Sequence, residues 1–483
     1  MTTETQLLAA PSRNLLADLP AGRVLSGSAY EASVQIWNAA VTHQPALIVR
    51  PESPAEVQAA VLAARNHDLA LSVRVGGHDW VGRSLRHGGL VIDLSGMKRV
   101  AVDADARVAT VQGGVTASEL ISGAQAHGLA AVTGTIGAVG VTGLTLGGGY
   151  GPLNGRGGLA LDNLLRAEVV LADGRHVTAT PTDEPELYWA LRGGGGNFGV
   201  VTSLTLRLHH VPSVLAGLIV YPWSQAADVW TRIDEVLADC PDELTVQTGV
   251  LPSPDGPALF LSPVWSGQLS EGERAIDELL RLGDPLSSQV APMSYADMLR
   301  LFDAHIVTGR HYAMRTRTVA NYSPDVIAGL IDAGDSKTSP LSGIVVHHFH
   351  GAATRVPIEE TAFGIRRSHY MIEILAAWEP GDEGARHRDW THRVANNLAR
   401  HALPGGYPNM LGPTDHEQIA HAYGPNGPRL RAAKNRFDPD GIFSAIPLPP
   451  QATGYTHLQP GERAAASPPD RSSGPSVRNC VIR

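Results

Sequence analysis

Short apolar runs bounded by glycine set the pattern of the first half of the chain. Leu69-Ala70-Leu71-Ser72-Val73, Leu90-Val91-Ile92-Asp93-Leu94 and residues 106–112 each read as a short buried strand. Pro54-Ala55-Glu56-Val57 opens an amphipathic helix that carries Val57, Val61 and Leu62 on one face and runs to about Asn66. Thr116-Ala117-Ser118-Glu119 has the form of a capping box and predicts a helix to about His127, with Gly128 just past its end. Residues 166–171 and 175–179 flank an Asp173-Gly174 turn and read as a hairpin. A helix over 183–191 and a strand over 200–208 follow, while residues 1–20 read as loosely held.

From about residue 210 the pattern changes. Strand-like runs at 216–221, 244–250, 258–265, 343–350 and 369–378 alternate with helical stretches at 225–238, 271–282 and 324–333. This predicts an antiparallel sheet covered by helices, and an α+β chain as a whole. Glycine and asparagine return near 406, and Leu430-Arg431-Ala432-Ala433-Lys434 reads as a short helix ended by Asp438-Pro439. Beyond Pro450 large apolar residues are few, so 451–483 reads as disordered.

Composition narrows the function classes. A length of 483 residues suits two domains, and 43% hydrophobic with 18% charged residues fits a globular enzyme. A net charge of -9 offers no basic face for nucleic acid. No run reaches the roughly 18 apolar residues of a membrane span. The start lacks a basic leader region, so the expected compartment is the cytoplasm. The two cysteines, Cys240 and Cys480, form no metal or redox motif by spacing.

The candidate chemistry gathers in glycine-rich stretches. Arg74-Val75-Gly76-Gly77-His78 places a turn able to present bare N–H groups, and then an imidazole, directly after a strand. Taken alone, the pentapeptide is equally a tight turn with a surface histidine. A second stretch, Gly140-Val141-Thr142-Gly143-Leu144-Thr145-Leu146-Gly147-Gly148-Gly149-Tyr150-Gly151, lacks the Lys-Ser/Thr of a phosphate loop. It is also not followed by the helix and acidic residue of a nicotinamide fold. A third is Leu191-Arg192-Gly193-Gly194-Gly195-Gly196-Asn197-Phe198-Gly199.

In this order and spacing the three stretches resemble the FAD-linked oxidase superfamily that includes vanillyl-alcohol oxidase, and within it the berberine-bridge-enzyme-like branch. The resemblance runs from about Tyr30 to Pro447. It is strongest over 47–208, weak over 210–340, and clear again in Thr361-Ala362-Phe363, Tyr407-Pro408-Asn409 and Tyr423-Gly424-Pro425-Asn426. It implies a discontinuous FAD-binding domain, 1–209 with a return segment at 406–450, and an antiparallel-sheet substrate domain at 210–405. It also implies FAD bonded through its 8α-carbon to His78. The family's second link, from a cysteine, has no counterpart here, because Ile136 stands at that position. Val139 matches the residue that admits oxygen to the flavin. Cofactor contacts are implied for Arg74, Val75, Gly76, Gly77, His78 and Asp79. In the second stretch and just before it they fall on Gly134, Val139, Gly140, Gly143, Gly147, Gly148 and Tyr150, and later in the chain on Gly199, Val201 and Asn409.

Two residues stand out for the reaction. Glu373 lies inside the apolar run Tyr370-Met371-Ile372-Glu373-Ile374-Leu375, where a carboxylate is costly to bury unless paired or functional. It matches the position that relatives place above the flavin, and a solvated sheet edge is the plain alternative. Tyr407 matches the tyrosine of the family's Y-x-N motif and is implied to steer or deprotonate a substrate hydroxyl. The aromatic that relatives often carry before the glycine matching Gly158 is replaced by Gly157, which puts the tyrosine-assisted alcohol chemistry of plant members in doubt. His347, His348 and His350 read as a polar substrate-facing wall or as structural residues. His348 and His350 share a strand face, but no third ligand lies nearby in sequence, so no metal is assigned.

The resemblance implies a covalent-FAD oxidase. It would oxidise a small organic alcohol or ring carbon of secondary metabolism by hydride transfer, and reduce O2 to H2O2. A dehydrogenase with another acceptor, or a flavoprotein that sequesters a metabolite, are the rivals. The expected partners are a small-molecule substrate and O2, with no nucleic acid or membrane. The oligomeric state is left open, a homodimer being one option.

Overall fold

The structure is a computed structural model that describes residues 13–253 and 256–450. The first apolar runs pair with one another. β1 (Leu47–Val49), β2 (Leu71–Arg74) and β3 (Leu90–Asp93) form a parallel sheet with β3 in the centre. Helix Pro54–Asn66 covers it, started by Ser53, whose hydroxyl accepts the N–H of Glu56, and by Pro54 in the first turn. Val57, Ala60, Val61 and Ala64 make its buried stripe. Leu62, expected on that face, lies about 100° around the helix from Val61 and is exposed. Arg13–Asp18 is a helix whose Leu15, with the following Leu19, packs into the same core, so residues 13–19 are held after all.

A second sheet carries β4 (Val100–Asp103), β5 (Val108–Gln112), β6 (Leu129–Ala131), β7 (Leu164–Val170), β8 (His176–Ala179) and β9 (Val200–His210). Its order is β4-β5-β9-β7-β8, with β6 also on β9, and every pairing is antiparallel. The 166–179 hairpin forms as expected. Glu119 accepts the backbone N–H of Thr116 at 2.8 Å and starts helix Ala117–Gln125.

The third sheet contains β10 (Val214–Pro222), β11 (Leu244–Ser253), β12 (Gly256–Trp265), β13 (Ser287–Met293), β14 (His311–Val319), β15 (Gly343–Phe349) and β16 (His369–Trp378). It is antiparallel in the order β13-β10-β12-β11-β15-β16-β14. Strand alternation gives it two unlike faces. Ile344, Val346, Ile372, Ile374 and Ala376 pack under Trp230, Ile327, Trp390 and Leu398 of the covering helices. His347, Met371, Glu373 and Leu375 face the other way, into a cavity.

After residue 405 the chain returns to the first two sheets. Helix Gly427–Phe437 packs against helix Pro185–Leu191. Lys434 then holds the carbonyls of Asn197 and Phe443, at 2.8 and 2.6 Å, and the carboxylate of Asp438. The described residues to Pro449 pack as one compact unit. The tail, 451–483, lies outside the described residues. No helix among them is long and apolar enough to cross a membrane.

Candidate active site

A cavity of about 310 Å³ lies between the glycine-rich stretches and the open face of the third sheet. Ligand sites commonly hold roughly 300–1,000 Å³. One wall is formed by residues 75–79, 134–136, 139–140, 142–143, 195–196, 199–200 and 443–446. The turn at 76–77 and the stretch at 139–140 touch main chain to main chain. A Cβ on Gly76 would sit 2.4 Å from the Ala138 carbonyl oxygen, and one on Gly140 would sit 2.5 Å from Val75 Cγ1. Glycine is therefore required on both sides of that contact.

The third glycine stretch works through Asn197. Its amide nitrogen donates to the carbonyls of Gly194 and Ile446 at 2.8 and 2.9 Å, and its Oδ1 accepts the N–H of Ala445 at 2.8 Å. Two segments far apart in sequence are thereby joined along the cavity wall.

His78 lies at the mouth of the first turn. Its ring stacks on Trp37 at 5.4 Å and has no hydrogen-bond partner among the described residues. Burial pushes its pKa down to about 4, so the imidazole is neutral and a ring nitrogen keeps its lone pair.

The sheet supplies the polar groups opposite. Gln247 donates its amide N–H to Nδ1 of His347 at 2.9 Å. An amide nitrogen only donates, so Nδ1 accepts, and the His347 proton sits on Nε2, 3.3 Å from Glu373 Oε2. The His347 and Glu373 side chains are 11% and 13% exposed, which excludes the solvated-edge alternative for Glu373. Tyr407 is buried, and its hydroxyl oxygen accepts two hydrogen bonds, from the Gly149 N–H at 2.9 Å and from Asn409 Nδ2 at 3.0 Å. Both lone pairs are occupied, so its own proton is left to donate. Burial raises its pKa, which favours donation over deprotonation.

Most residues singled out in the sequence line this cavity: Val75, Gly76, Gly77, His78, Asp79, Gly134, Val139, Gly140, Gly143, Tyr150, Gly199, Val201, Glu373, Tyr407 and Asn409. Ile136 lines it too. Several roles need correction. Arg74 turns away, its guanidinium 3.2 Å from the fully buried carboxylate of Asp93 on β3. Gly147 and Gly148 lie behind the wall. Their bare Cα atoms make room for Asn409 and Tyr407, since a Cβ on Gly147 would lie 2.0 Å from Asn409 Oδ1. The Asn409 amide nitrogen is engaged with Tyr407 and with the Leu144 carbonyl at 3.3 Å, and so bonds to protein where the ring system was expected. Asp79 caps its own turn, accepting the N–H groups of Val81 and Arg83. The Tyr150 hydroxyl donates to Nε2 of His369 at 2.7 Å, because His369 Nδ1–H is taken by the Arg367 carbonyl at 2.7 Å. Of the three neighbouring histidines only His347 lines the cavity; His348 points to the opposite face of the sheet, and His350 lies past the end of β15 with Nε2 on Thr245.

Sequence reasoning missed Gln247 and the apolar wall of Trp37, Trp80, Ile306, Met314, Met371, Leu375 and Met410. Met371 and Leu375 were available from strand alternation around Glu373. The two tryptophans carry no local signal.

These residues fit an FAD. The glycine-rich lining segments suit a pyrophosphate, the apolar residues with Trp37 suit a ring system, and a neutral imidazole without a hydrogen-bond partner among the described residues stands beside them. A family model described as an FAD binding domain matches residues 45–180. The chain is 31% identical to "FAD-linked oxidoreductase aurO" of Gibberella zeae over 422 residues, covering 86% of this chain and 83% of the other. It is 32% identical to "(R)-6-hydroxynicotine oxidase" of Paenarthrobacter nicotinovorans over 444 residues, covering 86% and 93%. The crystal structure of 6-hydroxy-D-nicotine oxidase from Arthrobacter nicotinovorans superposes with a TM-score of 0.82 at 29% identity, over 91% of this chain and 99% of that one. A glucooligosaccharide oxidase from Acremonium strictum, described with a 6-S-cysteinyl, 8α-N1-histidyl FAD, shares the fold. Its TM-score is 0.78 at 24% identity, over 90% of this chain and 97% of that one.

Proposed function

This chain belongs to the FAD-linked oxidoreductases, and on that premise we propose that it is an oxidase of a small, largely apolar organic molecule bearing one alcohol or amine centre. The observation that carries this reading is the carboxylate Glu373, set beside the apolar side chains of Met314, Met371 and Leu375 and backed by His347 and Gln247. An oligosaccharide needs many polar partners, whereas Ile306, Met314, Met371, Leu375 and Met410 offer none along the cavity.

FAD, when bound, would supply a two-electron acceptor that O2 can reoxidise with release of H2O2. The chain's own residues do the rest. Glu373 takes the proton from the substrate's O–H or N–H as the adjacent C–H bond is lost. His347 donates Nε2–H to the same carboxylate and holds it in place, its tautomer fixed by Gln247. Tyr407 donates its free proton to the substrate's heteroatom and orients it. His78 is positioned to bear the flavin through a ring nitrogen, and Ile136 leaves no thiol for a second bond. Val139, small and at the wall, leaves oxygen a path. Residues 210–405 shape the substrate side, and 1–209 with 406–450 the cofactor side. The expected setting is secondary metabolism in the cytoplasm.

The test is a library of small cyclic alcohols and amines, alongside oligosaccharides, screened for substrate-dependent peroxide. Peroxide in stoichiometric yield from the apolar compounds supports the reading. Bleaching of the flavin without peroxide points to a dehydrogenase, bleaching without turnover to sequestration, and a response confined to oligosaccharides overturns the substrate class.

A further inference from the structure

We propose that Cys240, His348 and His350 form a metal site at the end of β15, taking one thiolate-preferring cation of the Zn2+ class. One ligand atom from each lies within 4.8 Å of the other two. Cys240 follows helix Ala226–Ala238, and β11, which starts at Leu244, lies beside β15 and so brings the thiol to the histidines. No spacing rule in the sequence encodes that approach.

The geometry around His350 is that of a ligand. Its Nδ1 lies 3.7 Å from Cys240 Sγ. Zn–S and Zn–N bonds of about 2.3 and 2.0–2.1 Å at a tetrahedral angle put S and N about 3.6 Å apart. Its Nε2 lies 3.2 Å from Thr245 Oγ1. An N–H donated there leaves the Nδ1 lone pair facing the sulfur, the arrangement in which a second partner fixes a ligating imidazole.

His348 supplies an independent observation. Its Nδ1 has no hydrogen-bond partner among the described residues, although the residue is only 2% exposed. Its ring lies against that of His350, with centroids 4.1 Å apart and planes 5° from parallel, and against Tyr370 on the other side. A buried nitrogen without a partner calls for an explanation, and a cation shared with Cys240 and His350 provides one. Rotation of the His348 ring and a shift on the order of 1 Å draw the three atoms onto one ion at ordinary bond lengths.

On binding, the Cys240 thiol proton leaves to solvent and the sulfur ligates as thiolate. Asp242, close in sequence, is paired with Arg355, so water completes the shell. The site faces away from the cavity. Its effect is to pin the end of helix Ala226–Ala238 to β15, the strand that presents His347.

The test uses the full flavin-bearing protein, stripped with a chelator and then given Zn2+ or Co2+ alone. We expect one Zn2+ per chain to survive gel filtration. Co2+ should give a thiolate charge-transfer band in the near-ultraviolet difference spectrum. Cys240→Ser should abolish both, Cys480→Ser should change neither, and Thr245→Val should weaken Zn2+ affinity about 10–100-fold. The absence of a band in the wild type overturns the proposal whatever the variants do. So does equal Zn2+ retention in Cys240→Ser, which would mean adventitious binding at other histidines.

Discussion

His78 combines a glycine turn before it, an aromatic ring beside it, no hydrogen-bond partner among the described residues, and a pKa held down at about 4 by burial. An unprotonated ring nitrogen is what a bond to carbon requires. The pentapeptide alone left a surface histidine equally plausible, and the main-chain contact of Gly76 with residues 138–140 decides otherwise, because it ties the turn to the cavity. Acid-precipitated wild-type protein should stay yellow and carry the mass of FAD on the peptide bearing His78 only. His78→Ala should release its flavin on denaturation. Free FAD from the wild type, or a second modified peptide, would show the tether to be wrongly assigned. Gln247 was not legible. Nothing local marks a glutamine on a buried strand, and its role appears only when β11 is laid beside β15.

Among the elements, those with strong local periodicity or caps were readable: helix Pro54–Asn66, the helix after Thr116, the 166–179 hairpin, and the strands around Glu373. Two were not. Val141–Gly147 is a short helix inside what reads as a glycine loop, because its glycines lower helix propensity while tertiary packing restores it. Strand β14 carries Arg315 and Arg317 on one face and Thr316 and Thr318 on the other, which hides its apolar positions. The return segment was visible as a change in composition, but its attachment through Asn197 was not. Asn197→Ala removes one side chain's three hydrogen bonds in a buried setting. It should cost about 1–3 kcal/mol, read as a lower denaturant midpoint at unchanged slope, together with faster FAD loss from a His78→Ala background. A midpoint within error of wild type would remove Asn197 from this role.

For the molecule as a whole, buried neutral histidines set the response to acid. Burial holds His209 and His369 down at about 4, against an ordinary value of 6.5. Between those values the unfolded chain binds protons that the native state refuses. Stability should therefore be fully present above about pH 6.5 and fall as pH drops toward 4, by up to about 1.4 kcal/mol per pH unit for each such histidine. Melting temperatures at pH 7, 6 and 5 check this, and a flat profile would contradict it. At the same scale, the third sheet has two unlike faces: a helix-packed face carries the core, and an open face carries Glu373 and His347, to which the reaction is assigned. The measurement that bears most directly on the proposed reaction is the anaerobic rate at which a peroxide-yielding substrate bleaches the flavin, compared across pH in wild type, Glu373→Gln and Tyr407→Phe. Glutamine keeps the shape and removes the basicity, so Glu373→Gln should reduce at a rate lower by on the order of 10²–10⁴. It should keep its flavin attached, and Tyr407→Phe should lose less. Near-wild-type bleaching in Glu373→Gln, with the larger loss in Tyr407→Phe, would contradict the assignment and move proton abstraction to the tyrosine.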